Sequence, residues 1–492
     1  MTQIPFERYL DTKNHDWPQV FTLFVVGLSA FTCSALMIWP SPTIPKLLSN
    51  TSHISNVTFE ETSYFTVIPP ISTLIAAPFV SYLLDTIGRK KAIMLAIIPH
   101  ITSWLLVAFS DRMLFLYLSR LIFGISDSVL FCIPTYVGEI ATPKVRGSWG
   151  NLLPIGLFFS GFVVNVVGSF NTIRTTALIL VVVPIVHAIF ITIAPESPYY
   201  LVMKGKMSEA EKSLKWLRWN KNVQEEFDII CHDVARQQSE KGRMKDVWII
   251  PTNRRALLII LALRISQQLS GFVAFFTYTH YIFAAAGGHL SASSSAIIYT
   301  AVLFVLSVIC SFTVDIFGRR PSMMFSTVGC TIALFIEATY FYLLERIHLN
   351  LTDFNWVPLA GLLLYTISCI PGLGILPTLM LGELFSSSIK SKAAGLHIIV
   401  YSLLTLSVPK IFQYLSVHYG ISPSINVGII PNPGTPDMTY TIKPTSGIQF
   451  KSAKLMFVSF IKEKYTLSAN NASVQPIIEN IIKGLRPNVL IV

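Results

Sequence analysis

Charge is what this chain has least of. Of its 492 residues only 13% are Asp, Glu, Lys or Arg, about half the share of an ordinary soluble domain, and 52% are hydrophobic. Too few charges are present to cover a water-facing surface, so much of the exterior faces lipid. Acids are scarcer than bases, 26 against 37, which leaves a formal net charge of +11. Cysteine is sparse and unpatterned: Cys33, Cys132, Cys310, Cys330 and Cys369 lie in apolar runs and Cys231 in a polar stretch. No metal-ligand spacing links them, so free thiols are expected. A phosphate-binding glycine loop and a nucleophile–base pattern are both missing, and His53, His100, His187, His280 and His397 share no spacing. An enzyme is therefore not expected, nor is any catalytic residue, metal or cofactor. No cleavable signal peptide is expected, because the first apolar run is too long and no small-residue cleavage site follows it.

Long apolar runs are what the chain has instead. Eleven lie near residues 19–41, 63–84, 92–110, 113–137, 149–170, 174–194, 256–284, 294–314, 322–344, 356–381 and 393–416. About 20 residues cross the hydrocarbon, and lipid offers no partner to exposed backbone groups, so each run is expected to be a membrane-spanning helix. The basic residues sit in alternate loops: Arg89, Lys90, Lys91, Lys144, Arg146, Arg319, Arg320, Lys390 and Lys392, with the basic linker after the sixth run. By the positive-inside rule those loops are cytosolic, and the net charge reflects topology, not a nucleic-acid partner. Sequons at Asn50, Asn56 and Asn350 fall in the opposite loops and are expected glycosylation sites.

The organisation that follows is an all-α membrane protein. Residues 1–18 form a cytosolic N-terminus, 19–194 an N-terminal helix bundle, 195–253 cytosolic linker helices, 254–416 a C-terminal bundle and 417–492 an atypical polar tail. The second bundle is expected to lack its last span, because the cluster Leu455–Ile461 is too short to cross.

Two stretches nearly repeat. Asp85-Thr86-Ile87-Gly88-Arg89-Lys90 and Asp315-Ile316-Phe317-Gly318-Arg319-Arg320 each join two apolar runs, about half the chain length apart. Glu139 and Arg146 recur at the same spacing as Glu383 and Lys390. Parallel repeats of this kind are the mark of a duplicated secondary transporter. Together with Pro195-Glu196-Ser197, Gln267-Gln268-Leu269-Ser270-Gly271, Gly372-Leu373-Gly374, Gly382-Glu383-Leu384-Phe385 and Trp39-Pro40-Ser41-Pro42, these motifs resemble the sugar-porter branch of the major facilitator superfamily. The likeness is greatest to insect facilitated trehalose and glucose transporters and covers about residues 18–416.

That resemblance implies two six-helix-type bundles rocking around a central site. It also implies that Asp85, Arg89, Glu139, Arg146, Glu196, Asp315, Arg319, Glu383 and Lys390 form a cytosolic clamp between the bundles. Gln267 and Gln268 are adjacent amides in an apolar run, costly unless bonded. The resemblance places them on the substrate, with helix–helix hydrogen bonding as the alternative. Tyr278 matches an extracellular gate position, or is an interfacial anchor. The family pattern is broken at Pro154, Val273, Leu303, Thr378 and Tyr401-Ser402. Thr378 takes the place of an indole in the substrate set, and Asp127 is a carboxylate the family lacks there. Residues 19–41 hold no Asp, Glu or His, so uniport is expected over proton coupling, with Asp127 and Glu337 the residues that could reverse this. The expectation is a plasma-membrane, multi-pass facilitative carrier of a small neutral sugar such as trehalose or glucose. The alternatives are a non-transporting sugar sensor and a carrier of another small organic solute. Its partners are the sugar and the bilayer; the oligomeric state is open.

Overall fold

A computed structural model describes residues 16–421, except 50–51, 130–132, 150–151, 221, 240–243, 288–289, 346, 349 and 386. All fall within one compact unit, and no strand occurs among the described residues. The expectations about Asn50 and about a missing last span lie outside the described residues.

Among the described residues, ten helices are long and apolar enough to cross a membrane. The first six spans are Trp17–Leu48, Phe59–Ile87, Arg89–Ala108, a fourth carried by Met113–Asp127 and Ile133–Ile140, then Leu152–Phe170 and Ile173–Ile193. The fourth is described in two pieces, on either side of residues 130–132. Four polar helices follow, Pro198–Met203, Met207–Arg218, Gln224–Ser239 and Met244–Ile249. The seventh to eleventh spans are Pro251–Ala286, Ala292–Phe317, Arg319–Glu345, Val357–Leu381 and Ser387–Tyr419.

The outward faces of these helices remain apolar: Ile75, Phe79, Ile98, Phe335 and Ile336 are exposed, as lipid-facing side chains must be. The two halves meet along the second span on the eleventh, the fifth on the eighth, and the end of the seventh on the end of the first. Where backbones approach closely, small residues permit it. A Cβ at Gly124 would lie 2.4 Å from the Pro69 carbonyl oxygen, and one at Gly372 would lie 2.5 Å from that of Ser322.

Three spans are broken, and the sequence says why. The first is interrupted at Trp39, ahead of Pro40, Pro42 and Pro45. The seventh breaks at Gly271, whose φ of +84° glycine adopts without strain, between Pro251–Leu269 and Phe272–Ala286. The tenth carries a widened π turn over Ile370–Gly374, built on Pro371, Gly372 and Gly374. Discontinuous helices of this kind free backbone carbonyls in the interior, and in transporters they line the substrate site.

Candidate functional site

The breaks in the seventh and tenth spans face each other, and the amide pair lies beside them. Gln267 is buried and uses both ends of its amide: Nε2 donates to the Gly374 carbonyl at 3.2 Å, and Oε1 accepts from Arg264 Nη1 at 2.5 Å. Gln268 is 1% exposed and its Oε1 has no hydrogen-bond partner among the described residues. Arg264, one turn before Gln267, also donates from Nη2 to Thr378 Oγ1 at 3.1 Å and from Nε to His397 Nε2 at 2.8 Å. Its guanidinium carbon stands 4.9 Å from the centre of the Tyr401 ring. Thr378 is exposed, so this cluster borders open space. Val273 and Leu303, at 4% and 2% exposure, present apolar surface where the family resemblance would place amides.

Tyr278 marks the other end of the seventh span. It is 1% exposed, at a residue where the helix departs from helical angles. Its ring stacks on Phe412 of the eleventh span (5.4 Å, 18°) and tilts against Phe59 of the second (5.8 Å). Phe59 also stacks on Tyr281 at 4.6 Å. Beside this plug, His280 Nδ1 meets Ser41 Oγ at 3.1 Å and His280 Nε2 meets Ser169 Oγ at 3.3 Å, tying the seventh span to the first and fifth. Lys410 Nζ donates to Ser63 Oγ at 2.6 Å, joining the eleventh span to the second. The halves are sealed together at this end by aromatic faces and short polar side chains.

The Gly-Arg-Lys junction gathers a network at the opposite end. Arg89 pairs bidentately with Glu139, with Nε to Oε2 and Nη2 to Oε1 both at 3.0 Å, and Nη1 donates to the Leu84 carbonyl at 3.2 Å. This planar fork-to-carboxylate match is the strong form of the ion pair. Asp85 stands at 3.7 Å and is 71% exposed, a weak partner. Glu196 does a different task. Its Oε1 accepts from the backbone N–H groups of Arg89, Lys90 and Ser197 at 3.0, 3.1 and 2.8 Å. A carboxylate at a helix N-terminus satisfies orphan donors and complements the helix dipole. Gly88 makes room for it, with a φ of +101° and no Cβ, which would lie 2.4 Å from Glu196 Oε2. Tyr200 donates to the Thr86 carbonyl at 2.7 Å, and its phenol is pushed up by burial and by Glu196, against Arg89. Arg218, paired with Glu226, donates to the Ile140 carbonyl at 3.0 Å and fastens the polar helices to the first half.

These bonds join the first half to the polar helices. Arg146 is exposed and forms no ion pair with a described residue. Glu139 pairs with Arg89, while Arg146 follows a helix break between Ile140 and Pro143. Arg319 opens the ninth span; the side chains of Asp315, Glu383 and Lys390 lie outside the described residues. Asn56 and Asn350 are exposed.

A family model for "Sugar (and other) transporter" matches residues 14–461. The chain belongs to this family. It is 30% identical over 413 residues to a facilitated trehalose transporter Tret1 from Apis mellifera ligustica, covering 82% of each chain. A Tret1 from Bombyx mori is 29% identical over 401 residues, covering 81% of this chain and 78% of its own. Among solved structures, the xylose transporter XylE from E. coli in a partially occluded inward-open conformation superposes with a TM-score of 0.68 at 17% identity, over 90% of this chain and 99% of that one. The proton:xylose symporter XylE bound to 6-bromo-6-deoxy-D-glucose gives 0.69 at 19% identity, over 91% and 97%. The fold is that of the major facilitator superfamily, and the chain is a multi-pass membrane transporter, not an enzyme.

Two interior arginines of this transporter were not singled out from sequence. Arg264 is described above. Arg120, 1% exposed, donates to the Leu36 carbonyl and lies 4.6 Å over the Trp39 ring, which packs 5.5 Å from Phe65. It therefore braces the break in the first span. A cation inside an apolar run was the available signal for both.

Proposed function

We propose that this chain is a facilitative carrier that moves a sugar of mono- or disaccharide size across the plasma membrane by alternating access. The observation that carries the reading is the juxtaposition of the two broken spans. The Gln267 amide bridges the seventh span to the Gly374 carbonyl of the tenth, beside the exposed Thr378, while Tyr278 is sealed between the halves one end further on. A central polar site that is open on one side and plugged on the other is what alternating access requires. With the Gly-Arg-Lys junction in the cytosol, this is the inward-facing state. Loops carrying Asn56 and Asn350 then lie outside, where glycans are added.

Uniport is favoured because the first span holds no carboxylate. Trehalose and glucose are the first solutes to assay, since relatives are named for trehalose. The test is uptake of labelled sugar by transporter-deficient cells expressing the chain, with surface delivery followed by glycosidase-sensitive migration. Saturable uptake unaffected by a protonophore supports the reading. Surface-delivered protein without flux of any sugar overturns it in favour of a sensor.

A further inference from the structure

A charged guanidinium in the middle of the seventh span needs a counter-charge. Arg264 is 7% exposed, and each of its recorded partners is neutral: His397, Gln267, Thr378 and the Tyr401 ring. Because Arg264 Nε donates to His397 Nε2, that nitrogen is an acceptor and the imidazole carries its proton on Nδ1. No described carboxylate forms an ion pair with Arg264. Arginine remains protonated in proteins, and ionisable groups at membrane depth are kept where they meet a partner or a substrate.

The unused hydrogen-bonding capacity has one sign. A guanidinium has five N–H donors, and three are committed, one each to His397, Gln267 and Thr378. His397 Nδ1, in a residue 2% exposed, has no hydrogen-bond partner among the described residues. The cluster thus offers surplus donors beside a fixed positive charge, at a place bordered by exposed Thr378. The neighbouring Gln268 Oε1 is an acceptor without a donor. An anionic group for the donors and a hydroxyl for the amide oxygen describe an acidic sugar. Arg264 also occupies Gln267 Oε1, an oxygen an uncharged sugar would otherwise bond.

We propose that the central site selects a sugar carboxylate, held by Arg264 and His397, over an uncharged sugar. The proposal rests on the carrier reading above and names its substrate class. The arginine fork suits a carboxylate because two parallel N–H···O bonds match its geometry.

The experiment is equilibrium binding to the purified full chain in detergent, by calorimetry, with D-glucuronate, its uncharged methyl ester and D-glucose as probes. Wild type is expected to bind glucuronate at least tenfold more tightly than either uncharged probe. Arg264→Gln is expected to weaken glucuronate by about 10- to 100-fold, the range for a lost charge-assisted contact. The ratio of glucuronate to glucose affinity should fall by the same order, and Arg264→Lys should restore part of the preference. Equal or better binding of glucose by wild type would overturn the proposal without touching the carrier reading. So would a glucuronate preference that survives in Arg264→Gln. If the variant does not fold, the three-probe comparison on wild type decides alone. Glucuronate binding without counterflow in proteoliposomes would uphold the site and remove the carrier reading.

Discussion

Replacing Arg89 by Ala takes from Glu139 its one ion-pair partner among the described residues, and the cost follows from what is left behind. The Arg89 side chain is 9% exposed and Glu139 15%, so the pair is largely desolvated, and two of its bonds are at 3.0 Å. Breaking a buried pair by removing one partner costs about 3–5 kcal/mol, mostly from the carboxylate left uncompensated. Loss of the contact to exposed Asp85 adds under about 1 kcal/mol. Glu196 should not contribute, because it is held by the backbone amides of Arg89 and Lys90, which the substitution keeps. Arg89→Ala is therefore expected to lower the melting temperature of the purified chain by several degrees. Adding Glu139→Gln should recover part of that loss, since a neutral amide needs no cation. The assay is a double-mutant cycle on thermal melts in one detergent, with an expected coupling of about 2–3 kcal/mol. A wild-type melt for Arg89→Ala, or no recovery in the double variant, would refute the idea that this network stabilises the first half.

Other outcomes are equally specific. Gly88→Ala should destabilise by at least about 1–3 kcal/mol, because a positive φ and a Cβ 2.4 Å from Glu196 Oε2 cannot both be accommodated; a melt within a degree of wild type would contradict this. Tyr278→Ala should raise labelling of an introduced cavity cysteine by an impermeant reagent from outside, since it removes the ring between Phe59 and Phe412; unchanged labelling would show that the plug lies elsewhere. Gln267→Ala should cut transport with surface expression retained, and loss of expression would mark the amide as helix glue. Asn56→Gln and Asn350→Gln should each shift migration by one glycan, and no shift for either would challenge the assigned topology.

The spans were legible because membrane thickness sets helix length, and apolar length is written directly in sequence. The Gly-Arg-Lys junction was legible as a motif, yet its internal chemistry was not. Spacing marks Glu139 and Arg146 as a repeated motif, but does not say that Arg89, 50 positions away, takes the Glu139 carboxylate. Glu196, a member of the expected clamp, accepts from backbone N–H groups at a helix start, a task that depends on backbone direction and not on residue type. Arg264 lay in plain view inside the apolar run 256–284. Periodicity alone could not say that it faces His397 and Thr378, because both arrive from helices more than a hundred residues later. Sequence gave the depth of each side chain in the membrane; the identity of its neighbour needed the packing.

The most direct test of the carrier reading is counterflow in proteoliposomes containing the purified chain, with no pH gradient and the membrane potential clamped. Vesicles loaded with unlabelled trehalose, glucose or glucuronate are diluted into a trace of the same labelled solute. A facilitative carrier is expected to accumulate label transiently above its external concentration for at least one of the three, without any proton gradient. Absence of counterflow for all three, or uptake that appears only when an inward proton gradient is imposed, would contradict it.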